Sequence, residues 1–236
     1  MKLKIHEDVV GKYPHLRIGV VVAHDVENKP ESPEVEELKR SAERRLRGGK
    51  WEIENILEHP YIAAWRETYR SFGVKPKEYM PTAESIIRRV LKGNPLPKIS
   101  TVVDAYLAVE LDHFLPIGGY DLDLVDGDIL LRFSVGGENF TPLGGGHKET
   151  KAGEVVYSDA SRVLTVRWNY LDSDETKITL NTKSFVLCIE AADPAVPDSA
   201  LEDATKALFS TLQSACPGQY SFFVANVQNA QEWDLQ

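Results

Sequence analysis

The chain has 236 residues, of which 42% are hydrophobic and 27% are charged. This length and composition allow a sizeable buried core and argue against a disordered protein, a coiled coil or a membrane-spanning protein. The formal net charge of −9 argues at first against nucleic-acid binding, which depends on clustered Lys and Arg side chains. The charge is segregated, however. Residues 39–98 hold 14 of the 27 basic and 7 of the 36 acidic residues, a net charge of +7, and the rest of the chain carries −16.

The cysteine content and the N-terminus indicate where the protein works. Cys188 and Cys216 are too few and too isolated for a disulfide framework or a zinc site. The first ten residues lack the apolar core of a signal peptide, and no stretch approaches the roughly 20 apolar residues of a membrane helix. We therefore expect a cytoplasmic protein without a membrane partner.

The first half of the chain predicts one strand followed by four helices. Residues 16–24 form a β-branched run typical of a strand buried on both faces. Ser32 and Pro33 are an N-cap and a first-turn proline, and they begin a helix that ends at Gly48 and Gly49. Apolar spacing and Gly or Pro boundaries predict three more helices, from Pro60 to Phe72, from Pro81 to just before Gly93, and from Ser100 onward.

The second half of the chain changes to short β-rich segments separated by Gly, Asp and Asn. Strands are predicted at 128–134, 139–143, 154–158, 162–168, 176–180, 184–191 and 219–225, with a helix at 198–215 before the last strand. The spacing favours a sandwich or a small barrel over parallel βαβ units. The sequence therefore predicts an α+β fold in a single domain, 1–236.

Metal and covalent chemistry find little support in the sequence. The six histidines show no metal-binding spacing, and no Gly-x-Ser-x-Gly motif accompanies a Ser/His/Asp set. Gly144, Gly145 and Gly146 lack the spacing of a phosphate-binding loop and are expected to connect a hairpin. We expect no metal and no cofactor.

The basic span 39–98 has two interpretations. Arginines in the last turns of two helices complement the helix dipole, which accounts for about half of the excess charge. Other basic residues lie early in a helix or in the loop around Pro76 and indicate a phosphate-facing surface. The candidate nucleic-acid-binding residues are Arg44, Arg45, Arg66, Arg70, Lys75 and Lys77.

Two segments of the β-rich half are candidates for a ligand site. Residues 116–121 contain Gly118 and Gly119, and paired glycines let a backbone approach a ligand closely and donate N–H groups, although an ordinary tight turn is the alternative. Arg167 and Asn169 flank Trp168, for which core packing is the alternative, at the end of a predicted strand. The alternating polar residues around Thr179 form a strand face that solvent alone would also explain.

The order and spacing of several short motifs resemble a known family. They are Ser71-Phe72-Gly73-Val74-Lys75-Pro76, Leu96-Pro97, Val103-Asp104, Pro116-Ile117-Gly118-Gly119-Tyr120-Asp121, Gly136-Gly137-Glu138 and Arg167-Trp168-Asn169. The chain resembles free-standing B3/B4 domain proteins, relatives of the editing domain of the phenylalanyl-tRNA synthetase beta subunit. The resemblance is strongest over 60–192, after an N-terminal strand and basic helix in 1–59 and before a closing helix and strand in 193–236.

The resemblance implies a three-layer α+β arrangement, with a β-sandwich or mixed-sheet core flanked by helices. It also implies hydrolysis of an amino acid wrongly attached to tRNA, by a positioned water and without a nucleophilic side chain. Gly118 stands where the synthetase has a pocket histidine, and His113 lies in a different register. Implied catalytic residues are Gly118, Gly119, Asn169 and Thr179, and implied substrate-binding residues are Pro116, Ile117, Tyr120, Arg167 and Trp168.

Three functions remain open from the sequence. The first is a trans-acting aminoacyl-tRNA deacylase with charged tRNA as its partner. The second is a non-catalytic RNA-binding or amino-acid-binding module on the same scaffold. The third is an enzyme that acts on another small amidated or esterified substrate. The acidic background around a basic segment predicts weak and salt-sensitive RNA binding in the first two cases.

Overall fold

The computed structural model describes residues 1–235, which form six α-helices and twelve β-strands. The helices are α1 (Glu7–Lys12), α2 (Pro33–Gly48), α3 (Pro60–Ser71), α4 (Thr82–Leu91), α5 (Thr101–His113) and α6 (Asp198–Ala215). The strands are β1 (Lys2–Ile5), β2 (Arg17–His24), β3 (Ile117–Asp121), β4 (Ile129–Phe133), β5 (Asn139–Phe140), β6 (Lys148–Glu149), β7 (Val155–Ser158), β8 (Val163–Val166), β9 (Leu171–Asp172), β10 (Phe185–Ala191), β11 (Gln219–Asn226) and β12 (Glu232–Asp234).

The strands form two large sheets and one small hairpin. A four-stranded antiparallel sheet has the order β11-β2-β10-β3, and a six-stranded sheet has the order β12-β1-β4-β7-β8-β9. Only the β1–β4 pair of the described six-stranded sheet is parallel. Strands β5 and β6 pair with each other, and the three glycines 144–146 lie in their connection with positive φ angles. The predicted hairpin connection is confirmed.

The four-stranded sheet is the middle layer of the molecule. Val21 of β2 faces the helices, and its neighbours Val20 and Val22 face the six-stranded sheet. This strand is buried on both faces, which explains its continuous β-branched sequence. A helix layer, the four-stranded sheet and the six-stranded sheet make three layers, and the predicted α+β class is confirmed.

The helix layer covers one face of the middle sheet through apolar side chains of α2, α5 and α6. Gly19 of β2 permits the close approach of α6, because a Cβ atom there would stand 2.0 Å from the Thr205 hydroxyl oxygen. The Ser32 side chain caps α2 and the Ser100 side chain caps α5, as predicted. The described residues contain no helix that is both long and apolar enough to cross a membrane.

One alternative interpretation and one predicted strand do not hold, for reasons visible in the packing. Residues 116–121 do not form a tight turn: β3 pairs with β10, and a Cβ atom on Gly119 would stand 2.1 Å from the carbonyl oxygen of Val186. The glycine therefore serves close strand packing. Residues 176–180 form no strand, because their backbone acceptors bind elsewhere: Thr176 accepts from the N–H of Asp121 and Thr179 accepts from the side chain of Asn28.

Candidate functional site

A cavity lies between the two large sheets, on the side where β3 ends one sheet and β9 ends the other. Gly118 of β3 and Asp172 of β9 both line it and are partly exposed. Tyr120, Asn169 and Glu190 line it more deeply and are buried. Gly118 and Asp172 therefore mark the mouth of this inter-sheet cavity. The volume of the cavity is about 10 Å³. That volume is close to the minimum that holds one water molecule.

A buried hydrogen-bond network forms the floor of the inter-sheet cavity. The Tyr157 hydroxyl donates to one oxygen of Glu190 at 2.6 Å, and the Asn169 amide donates to the other at 2.7 Å. The Tyr69 hydroxyl in turn donates to the Asn169 side-chain oxygen at 2.7 Å. Asn169 is thus held from both ends, and both oxygens of Glu190 are occupied.

A second chain of hydrogen bonds leads to the mouth. The Thr165 hydroxyl donates to Oδ1 of Asp172 at 2.6 Å, and it lies 2.6 Å from the Tyr120 hydroxyl. Because the Thr165 proton points at Asp172, Tyr120 donates to Thr165. The other carboxylate oxygen, Oδ2, would lie 3.6 Å from a Cβ atom on Gly118.

The acidic groups of this region have raised pKa values. Burial raises the pKa of Glu190 to about 8, against hydrogen bonds from Tyr157 and Asn169 that lower it. Burial raises the pKa of Asp172 to about 6, and the Thr165 hydrogen bond opposes that rise. Glu110 on α5 is fully buried, and burial raises its pKa to about 8. At neutral pH Asp172 is therefore mostly ionised, whereas Glu190 and Glu110 are mostly protonated.

The backbone of β3 presents one donor to the open edge. Glu190 donates its N–H to Pro116, and Leu122 donates its N–H to Ser184, so even-numbered residues of this strand bond to β10. Hydrogen-bonded pairs alternate in an antiparallel ladder, so the Gly118 N–H faces β10 and is not free for a ligand. The Gly119 N–H points away from β10, as does that of Asp121, which donates to Thr176.

A turn after β8 positions the second predicted segment, Arg167, Trp168 and Asn169. Arg167 and Trp168 have φ angles of 52° and 67°, a left-handed conformation that non-glycine residues adopt rarely. Trp168 is fully buried and lines the inter-sheet cavity, and its indole N–H has no hydrogen-bond partner among residues 1–235. The turn directs Asn169 toward Glu190.

Arg167 is not at the inter-sheet cavity. Its Nε lies 3.2 Å from a carboxylate oxygen of Glu154, and its guanidinium lies 4.1 Å from the ring centre of Tyr79. It is 8% exposed. An ion pair and an aromatic ring therefore satisfy this arginine, and it has no free face for an anionic ligand.

The other predicted site residues divide into two groups. Gly118, Tyr120, Trp168 and Asn169 line the inter-sheet cavity together. Thr179 lies in a turn closed by its hydrogen bond to Thr182 and does not line it. The remaining predicted residues of β3 and its approach, Pro116, Ile117 and Gly119, also lie outside the lining.

Most of the basic span is neutralised locally. Ten of its fourteen basic side chains form ion pairs. Arg66 is buried and contacts both oxygens of Glu84 at 2.9 Å, so its charge is already paired within the fold. Arg44 pairs with Glu37, and Arg45 forms a two-point contact with Asp112.

A surface groove of about 440 Å³ gathers the other predicted basic residues. We call it the basic groove; Arg66 and Arg70 line it together with residues 73–78, which include Lys75 and Lys77. Arg70 and Lys75 form exposed ion pairs with neighbours three residues away, which contribute little energy. Lys77 is exposed and has no ion pair within residues 1–235.

The sequence predictions missed the acids of the inter-sheet cavity. Glu190 interrupts the apolar run of β10, and strand alternation places it on the same face as Cys188 and Val186, which was a usable signal. Asp172 carried no such signal, because β9 has only two residues and its sheet partner is set by the tertiary fold.

Comparisons with known proteins identify the family. Residues 64–209 match the family model described as the B3/4 domain. The phenylalanine–tRNA ligase beta subunits of two Vibrio vulnificus strains, YJ016 and CMCP6, are each 32% identical to this chain over 89 residues. That match covers 38% of this chain and 11% of each relative, so it spans about a tenth of the relatives' length.

A solved structure is also similar. It is an N-terminal fragment of the phenylalanyl-tRNA synthetase beta subunit from Pyrococcus horikoshii, with a TM-score of 0.46 and 11% identity. The alignment covers 94% of this chain and 53% of that one. The family model, by contrast, matches well over half of the chain, and the protein belongs to the B3/4 domain family.

Proposed function

We propose that the protein is a cytoplasmic, cofactor-free deacylase that hydrolyses the ester bond of mischarged aminoacyl-tRNA in trans. Its family membership and its similarity to phenylalanine–tRNA ligase beta subunits support a substrate related to tRNA. One observation supports the chemistry most directly: Gly118, which has no side chain, and the carboxylate of Asp172 stand together at the mouth of one small cavity. The N–H of the adjacent Gly119 points away from β10 and is the nearest outward backbone donor of β3.

These groups match the needs of ester hydrolysis. An attacking water must be held, and the oxygen that becomes negative in the transition state must receive hydrogen bonds. The Gly119 N–H is the donor for that oxygen, and the Asn169–Glu190 network forms a rigid floor. Gly118 keeps the mouth open, since any side chain there would point at Asp172.

The basic groove supplies the contact with the tRNA. A second concavity of about 290 Å³ adjoins it, and Glu78 lines both. Thr82 and Tyr170 line this second concavity, and the Thr82 N–H donates to the backbone oxygen of Asn169 at 3.3 Å. A strand end held by Lys75 and Lys77 can therefore run past Tyr170 toward the cavity, with phosphate contacts and an aromatic surface for a base.

The size of the inter-sheet cavity bears on the amino acid. At about 10 Å³ it accepts a group the size of water or methyl and not an aromatic ring without movement of its walls. The attacking water fills this volume, so we propose that the amino acid of the substrate lies at the mouth beside Gly118.

A non-catalytic RNA-binding or amino-acid-binding module is the alternative function. The extensive ion pairing of residues 39–98 leaves few free cations for RNA, and the enclosed cavity favours a small ligand within this alternative. Such a module would bind charged tRNA or amino acid without releasing product. An enzyme that acts on another small amide or ester would turn over that substrate and would not bind tRNA.

The decisive experiment measures deacylation of a panel of correctly and incorrectly charged tRNAs by the purified protein. We expect turnover of at least one misacylated tRNA. Gly118→Val should abolish that turnover by closing the mouth, and Gly11→Val is the matched control, because a Cβ atom at Gly11 meets nothing within 4 Å. Binding without turnover across the panel would contradict the proposal and support the alternative.

A further inference from the structure

We infer that Asp172 is the general base that activates the attacking water, with Thr165 as its positioning residue. The inference rests on the proposed function and assigns a catalytic residue that sequence reasoning had not selected. Asp172 lies opposite Gly118 at the mouth, and the Thr165 hydroxyl holds Oδ1 at 2.6 Å. Oδ2 accepts no hydrogen bond from residues 1–235 and faces the cavity side of Gly118.

The cavity beside this oxygen suits one water molecule. Its volume is about 10 Å³, near the least that a single water requires. Asp172 supplies an acceptor at the mouth, and the buried indole N–H of Trp168, which lies near Glu190 without a full hydrogen bond to any residue of 1–235, supplies a donor. A water held between a donor and a carboxylate keeps one lone pair for attack, as a hydrolytic water must.

The titratable groups around Asp172 are neutral acids, so Asp172 is the group that can accept a proton. The titratable groups within electrostatic range are Tyr106 and Glu110 of α5, Tyr120 of β3, and Cys188 and Glu190 of β10. All of them are acids, and burial favours the neutral form of each. No Lys, Arg or His lines the cavity within the described chain, so no cation neutralises Asp172.

In the proposed reaction Asp172 accepts one proton from the water and later gives it to the leaving ribose oxygen. Oδ2 of Asp172 takes a proton from the water as the water oxygen bonds to the ester carbonyl carbon, whose oxygen becomes negative and accepts from the Gly119 N–H. The tetrahedral intermediate then collapses, the bond from carbon to the ribose oxygen breaks, and Asp172 returns its proton to that ribose oxygen. The products are the free amino acid and deacylated tRNA, and Asp172 is regenerated.

The test compares Asp172→Asn with wild type on the most active charged tRNA from the panel, across pH 5 to 9. We expect kcat to fall by about 10² to 10⁴-fold, the usual contribution of a general base. The wild-type rate should rise with pH through an apparent pKa near 6, and this limb should vanish in the variant. Asp174→Asn is the control, since Asp174 pairs with Lys177 on the surface.

A second variant separates catalysis from folding. Thr165→Val keeps the carboxylate and removes the hydrogen bond that lowers its pKa, so the rising limb should move to higher pH. A merely structural role for Thr165 would change stability without moving that limb. The shift remains measurable even if Asp172→Asn does not fold.

Three outcomes would overturn the inference. A folded Asp172→Asn variant within about threefold of wild-type kcat, or one with an unchanged pH profile and a raised KM alone, would show that Asp172 is not the base. The second result would indicate that Asp172 binds a cationic group of the substrate. Wild-type protein that hydrolyses none of the charged tRNAs would overturn the proposed function itself and the inference with it.

Discussion

The two faces of the middle sheet differ sharply in chemistry although the same strands build both. On β10, Leu187 and Ile189 face the helix layer in an apolar environment, and Cys188 and Glu190 face the six-stranded sheet beside titratable groups. The helix face shows side chains selected for burial. The inter-sheet face near β3 and β9 shows buried acids held by hydrogen bonds, which cost stability unless they are fully paired.

The difference shows that, on one strand, side chains that stabilise the core alternate with side chains that line the inter-sheet cavity. Strand alternation lets one segment supply a core on one side and a site on the other. Mutations at adjacent positions should therefore affect different properties.

The largest effect should come from the helix face. Leu187→Ala removes a fully buried side chain from the core, and we expect a loss of about 2–5 kcal/mol in the free energy of unfolding. Cys188→Ala, the next residue on the opposite face, should cost less because only a sulfur atom is removed. Urea unfolding of both variants measures this. Equal losses would show that the two faces contribute alike.

The adjacent glycines Gly118 and Gly119 of β3 allow the same comparison of the two faces, because replacing either by alanine adds a single methyl group. Gly119→Ala places a Cβ atom 2.1 Å from the Val186 carbonyl oxygen, and we expect roughly 1–3 kcal/mol of destabilisation from overpacking. Gly118→Ala places its Cβ atom 3.6 Å from Asp172, an ordinary contact. It should leave stability within about 1 kcal/mol and lower the deacylation rate. Thermal unfolding of the two variants gives the contrast, and a less stable Gly118→Ala would contradict it.

Stability should fall as pH rises, because of the buried acids. The pKa of Glu190 is raised from 4.5 to about 8, so between these values the folded protein binds a proton that the unfolded chain has lost. Its stabilising contribution is fully present below the unfolded value and is lost as pH rises through the folded value. The slope is up to about 1.4 kcal/mol per pH unit for one such group.

Glu190→Gln tests this pH dependence. The amide keeps a donor and an acceptor in place but does not titrate, so the free energy of unfolding should depend less steeply on pH between 5 and 8. The same replacement of the exposed Glu58 is the control. An unchanged slope in Glu190→Gln would show that the carboxyl of Glu190 has a normal pKa.

The smallest effect should come from the surface. Lys77→Ala removes one unpaired cation from the basic groove and should weaken tRNA binding several-fold, with the salt slope reduced by about 1. Lys92→Ala removes an exposed lysine that lies outside the groove and has no ion pair within residues 1–235, and it is the matched control. Fluorescence titrations at several salt concentrations measure both. Equal effects would mean that the groove has no special role.

Local signals predicted most of the fold. Caps, glycine stops and apolar spacing specify α2 to α6, and the β-branched run specifies β2, because these features depend on neighbouring residues. Strand β3 was missed because its glycines serve contacts with Val186 and Leu187, more than sixty residues away in sequence. The polar alternation at 176–180 suggested a strand, but those backbone groups bind Asp121 and Asn28.

Sequence reasoning selected part of the lining of the inter-sheet cavity. The resemblance selected Gly118, Tyr120, Trp168 and Asn169, and the structure places all four around one cavity. The resemblance did not identify Asp172, which lies at the mouth only because the edges of the two large sheets meet there. The ion-pair partners of the basic residues could not be predicted from the sequence either. Arg66, for example, pairs with Glu84 on a neighbouring helix.

The left-handed turn at Arg167 and Trp168 has a consequence for the interpretation of mutational scans. Two such residues in succession cost about 1–3 kcal/mol each, and surrounding contacts must hold them. Those contacts come from Glu154, Tyr79 and the carbonyl of Val155, none of which lines the cavity. Substitutions at these remote positions should release the turn and displace Asn169. A scan scored on activity alone would then assign catalytic importance to residues that never meet the substrate.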